Sequence, residues 1–145
     1  YMQSYVPPLV KTGGIWLRLQ PERAWQMFLT KSDEHAALVI DGRWSWFPPS
    51  LRPKVVDGVY DLPVLVTLDD DTGYALVQMV DPRECMALSP NTFAPAHDLS
   101  LIGHGVKAGD VVTVPIRIQY LKIESMKDVE ALYTQFCRDL QIPLE

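Results

Sequence analysis

Residues 64–80 read VLVTLDDDTGYALVQMV. Val64 to Leu68 and Tyr74 to Val80 are rich in residues that favour extended backbone, and Asp69-Asp70-Asp71-Thr72-Gly73 between them supplies turn residues. The stretch therefore predicts a β-hairpin. Because both faces of each strand are apolar, the two strands are expected in the middle of a sheet, covered on both sides.

On the N-terminal side, Gly14 to Leu19 alternate Ile15, Leu17 and Leu19 against Trp16 and Arg18, the pattern of a strand with one face more buried than the other. Pro21 suits the first turn of a helix near 21–31, in which Glu22 complements the helix dipole and Trp25, Phe28 and Leu29 form one apolar face. A hairpin is expected where Ala36 to Ile40 and Arg43 to Phe47 flank Asp41-Gly42, a dipeptide that tolerates positive φ. Its register places Trp44 and Trp46 on one face. Pro48, Pro49 and Pro53 end that strand, and Asp57-Gly58 divides the ambiguous run from Lys54 to Tyr60.

On the C-terminal side, residues 81–105 show no sustained period and carry three prolines and two glycines. A stretch of this kind is a functional loop or conceals short elements. Lys107 to Asp110 turn into a strand over Val111 to Leu121, with Val112, Val114, Ile116, Ile118 and Tyr120 on one side. Pro115 assigns that strand to a sheet edge or a bulge. Ser125 and Asp128 have the spacing of a helix cap and its partner, and Met126, Val129, Leu132, Tyr133, Phe136, Cys137 and Leu140 follow at helical intervals, predicting a helix near 126–140. The fold class is α+β: a single domain over 1–145 with a largely antiparallel sheet of about six to seven strands and two helices.

Composition supports a self-sufficient core, since the 145 residues are 48% apolar and a domain of this length buries most of its unfolded surface. The net charge of -5 disfavours generic nucleic-acid binding, which depends on neutralising phosphates. That charge is uneven: residues 1–60 carry +2 and residues 61–145 carry -7. Two cysteines, Cys85 and Cys137, make no disulfide framework, and a reducing, cytoplasmic setting is the default expectation. No apolar run approaches the length of a membrane span. The opening Tyr1-Met2 fits a domain excised from a longer chain, so the lack of a leader signal weighs little.

Three classes of function follow. The first is a non-enzymatic interaction or regulatory module, in which Arg43, Phe47, Arg52 and Lys54 present a basic and aromatic surface, or Asp69, Asp70 and Asp71 an acidic turn, to a protein partner. No cofactor is needed for such a role, and a homodimer through the edge strand is compatible with it, although Pro115 and Arg117 discourage strand addition. The second is a small enzyme with His97, Asp98 and His104 as acid-base residues in the irregular segment and Ser89, Ser100 or Cys85 as nucleophile. The third is a small-ligand module walled by Trp44 and Trp46. A metal centre from Cys85, His97 and His104 matches no ligand spacing, and the acidic turn places Gly73 one position early for a calcium loop and Val80 where the terminal glutamate belongs, so no metal is assigned.

Overall fold

The computed structural model of the protein describes residues 6–19, 26–30, 54–91, 96–102 and 104–143, of which 26–27, 54–58 and 90–91 by backbone only. The expected hairpin over 36–47 lies outside these residues, as do Arg43, Phe47 and Arg52.

Two sheets and one helix are formed by the described residues. The hairpin expected over 64–80 is β5 (Val64–Leu68) and β6 (Tyr74–Val80), paired antiparallel from Val64 opposite Met79 to Leu68 opposite Ala75. These strands sit inside a five-stranded antiparallel sheet completed by β1 (Leu9–Thr12), β2 (Ile15–Arg18) and β9 (Ile116–Lys122), in the order β2-β1-β5-β6-β9. Gly13 and Gly14, with φ of 57° and 81°, close the β1–β2 hairpin, because its two-residue turn needs left-handed backbone at both positions. A second sheet has the order β4-β3-β7-β8, formed by β3 (Gln26–Leu29), β4 (Lys54–Val59), β7 (Cys85–Asn91) and β8 (Ala96–Leu101). Its pairings are antiparallel except between β3 and β4.

The helix α1 (Met126–Asp139) covers one face of the first sheet. Val129, Tyr133, Phe136 and Cys137 pack there with Leu9, Val64, Val66, Ala75, Val77 and Met79. On the opposite face Val10, Leu65 and Val80 meet Phe28, Cys85 and Leu88 of the second sheet. The layers are therefore helix, sheet, sheet, and the middle layer must be apolar on both faces. This accounts for the continuous apolar character of β5 and β6.

Several expectations are corrected. The segment 26–29 forms strand instead of the helix expected near 21–31, leaving α1 as the one helix among the described residues. The spacing of Phe28 and Leu29 suits a helix face, yet their backbones pair with Leu88 and Ala87 of β7, and that pairing buries both side chains. Tertiary pairing outweighs a four-residue helical period, which is worth little by itself. The described residues alone form nine strands where six to seven were expected, partly because 81–105 contains the β7–β8 hairpin. The strand expected from Val111 begins at Ile116, and 111–115 has no regular structure. The Lys54–Val59 run, ambiguous by sequence, is strand β4.

Candidate interaction surface and the end cavity

The edge strand β9 has an inverted alternation. Ile116, Ile118 and Tyr120 point away from α1 and are 43%, 61% and 71% exposed, while Arg117 and Gln119 are half-buried on the helix side. Register explains this arrangement. Met79 and Val77 must face α1, their partners across the ladder are Arg117 and Gln119, and cross-strand partners share a face. Arg117 is made acceptable there by an ion pair of 2.7 Å from Nη2 to Asp139 Oδ2 and by its guanidinium lying 5.1 Å from the Phe136 ring centroid. The outward apolar stripe extends onto β6, where Tyr74 stacks on Tyr120 with ring centroids 5.3 Å apart. Ile15 and Leu17 on β2 are exposed on the same face at the far edge. The second sheet covers the middle of this face and leaves both margins open.

The residues singled out by sequence are dispersed. Thr72 Oγ1 and the Asp71 backbone N–H donate to Asp69, and these bonds hold its carboxyl below the usual range. Asp70 pairs with Arg18 at 2.8 Å. Two of the three turn carboxylates are thus engaged within the chain. Lys54 belongs to β4, described by its backbone alone.

His97 and Asp98 are neighbours on β8, so they point to opposite faces. His97 turns inward between the sheets, where Nδ1 lies 3.0 Å from Gln78 Oε1 and Nε2 lies 3.2 Å from Thr67 Oγ1. Burial lowers its pKa, partly opposed by the charge of Asp98. His104 is exposed beyond the strand end, with Nε2 4.0 Å from Glu84 Oε2. The two histidines serve separate surroundings. Cys85, a candidate nucleophile, is fully buried, and desolvation pushes its thiol up to about 12, so the thiolate is scarce at neutral pH. Among the described residues no group of three or more His, Cys, Asp or Glu side chains is arranged to hold a metal ion, and no helix is long and apolar enough to cross a membrane.

A cavity of about 570 Å³ lies at the end of the layers, lined in part by Tyr60, Pro63, Arg83, Tyr133, Cys137 and Ile142. Its volume falls in the range of small-molecule sites. Neither the histidines nor the acidic turn line it. The ion pair at its edge is formed by Asp81, whose side chain is 2% exposed, and Arg83, 58% exposed. Arg83 Nε and Nη2 both donate to the carboxylate, as does the Arg83 backbone N–H. Hydrogen bonding to Arg83 holds the Asp81 carboxyl below its ordinary value against the opposing effect of burial. Tyr60 donates its hydroxyl to the Cys85 carbonyl at 2.7 Å, and burial raises the pKa values of both Tyr60 and Tyr133. These groups are neutral or mutually satisfied, and the lining carboxylate of Asp61 accepts from the Gly14 backbone N–H.

The sequence signal for the β9 surface was its run of alternating apolar residues, but the period does not say which side faces the core. The cavity had no local signal, since its walls come from segments distant in the chain. Comparison with protein-family models, curated proteins and solved structures gives no match.

Proposed function

We propose that this chain is a non-enzymatic interaction module whose docking surface is the outward face of β9 and β6 around Tyr74, Ile118 and Tyr120. The observation that carries this reading is the inverted alternation of β9, which points its apolar residues to solvent and its Arg and Gln toward the helix. A solvated sheet face normally carries the polar set, and clustered exposed apolar residues mark binding surfaces. Tyrosines and isoleucines in such a cluster supply large contact area at low entropic cost. The dispersed His97, Asp98 and His104 supply no competing constellation.

The test is the double variant Ile118→Asp with Tyr120→Asp. Both side chains are exposed, so unfolding stability should change by no more than about 1 kcal/mol in total. Partner binding, read by titration once a partner is in hand or by capture from cell extract, should fall at least tenfold. Undiminished binding by a variant that remains folded would overturn the placement.

A further inference from the structure

We infer that the partner docked at β9 is a second copy of the same chain, joined edge to edge by antiparallel pairing of β9 with β9 about a twofold axis through Gln119, so that the apolar stripes of the two copies meet side by side across the seam. The inference rests on the docking reading above and names its partner.

The outward backbone groups of β9 set the geometry. Asp81 donates its backbone N–H to the Pro115 carbonyl, and Ile123 donates to the Gly73 carbonyl. Both pairs belong to the same β6–β9 register, in which Val80 opposes Ile116 and Tyr74 opposes Lys122. Hydrogen-bonded pairs alternate along an antiparallel ladder. The odd-numbered residues 115–123 therefore point their N–H and C=O groups at β6, and Ile116, Ile118, Tyr120 and Lys122 point theirs outward. Among the described residues no strand lies on that outer side. Pro115 has its missing donor on the inner side, so it does not obstruct strand addition. Arg117 is likewise withdrawn from the edge by Asp139.

These four residues are self-complementary. Centring the twofold on Gln119 sets Ile118 against the partner's Tyr120 and Ile116 against the partner's Lys122. All outward donors and acceptors then face one another, because even-numbered residues meet only even-numbered ones. The charges are compatible as well: Lys122 meets Ile116 and Arg117 meets Leu121, so no like charges are opposed. Gln119 falls opposite its own copy in the close, non-hydrogen-bonded type of pair. Its Oε1 is buried without a hydrogen-bond partner in the single chain, and a second carboxamide across the axis supplies a donor. The edge is long and regular: β9 pairs over seven residues without a register shift, whereas the edge strand β2 has four residues and β4 pairs with a shift in register; its one outward charge, Lys122, stands at the strand end. Such an uninterrupted edge is a template for pairing, and an isologous contact closes at two subunits.

The test combines sedimentation equilibrium with hydrogen exchange on the full chain. The expected result is a doubling of mass with rising concentration, together with slowed exchange of the Ile118, Tyr120 and Lys122 amides in the concentrated sample alone. Ile118→Pro removes an outward donor without touching the β6 ladder and should restore the monomer at unchanged circular dichroism. Gln119→Cys should form a disulfide-linked dimer under mild oxidation, because the expected Cα separation of about 4.5 Å in this pair type suits the bond. Leu121→Cys, facing Arg117 of the second copy, should not. A chain that stays monomeric up to about 1 mM with freely exchanging outward amides overturns the second copy and leaves the docking surface open to another protein. Amides protected equally at all concentrations show that the chain covers its own edge, which overturns both readings.

Discussion

His97 illustrates how a residue suited to catalysis serves a structural role. It is held between the sheets by Gln78 and Thr67, and burial favours its neutral form. With Gln78 Oε1 as acceptor, Nδ1–H donates and Nε2 accepts from the Thr67 hydroxyl, an arrangement available to the neutral ring. The folded pKa is depressed, so the contribution to stability is fully present above the unfolded value of about 6.5 and is lost as pH falls toward the folded value. Urea unfolding should show a lower midpoint at pH 5.5 than at pH 7.5, and His97→Gln should remove part of that difference. An equal pH dependence in the variant would show that His97 is not its source. None of this was legible in the His-Asp dipeptide, because the identity of the residues opposite a side chain is set by sheet packing.

Among the elements, α1 was the most legible. Its apolar period was visible in sequence, and Asp128 accepts the backbone N–H groups of Glu124 and Ser125 at 2.8 Å, as the spacing of the cap suggested. The C-terminal end was not legible, because no glycine marks it. Gln141 occupies the left-handed region with φ of 56°, where its N–H donates to Arg138 and that of Ile142 donates to Cys137. This is a Schellman termination built on a residue other than glycine. Ile142 is thereby returned to the core beside α1. Because a β-carbon is disfavoured in that region, Gln141→Gly should stabilise the protein by up to ~1 kcal/mol. Thermal and urea unfolding will measure the gain; a loss of stability would mean that the Gln141 side chain contributes more than its backbone costs. The failed helix near 21–31 shows the converse case. A period carried by three apolar residues is weak evidence when the same residues have strand partners elsewhere.

For the whole molecule, the decisive feature is that one sheet is sandwiched between α1 and a second sheet. Phe28 is at the centre of the inter-sheet layer and 1% exposed. Replacing it by alanine should cost ~3–5 kcal/mol, the usual range for a large aromatic in a close-packed core, and should loosen the two sheets together. A cost below ~1 kcal/mol by chemical unfolding would argue that the second sheet is not packed on the first. The Leu65→Ala cost would then be small as well, since both side chains share that layer.

The sequence by itself determined the local periods: the hairpin at 64–80, the terminal helix, the alternating strand containing Ile116 to Tyr120, and an α+β chain able to form a core. These depend on neighbours within a few residues, whose spacing is written directly in the chain. Tertiary structure decided which side of each period is buried. Phe28 and Leu29 became strand because β7 offered backbone partners, His97 turned inward because β5 and β6 offered a hydroxyl and a carboxamide, and Ile118 and Tyr120 turned outward because the ladder placed Arg117 and Gln119 over the helix side. Their shared cause is that a period-2 pattern is symmetric between its two faces, and only contact with another layer breaks that symmetry.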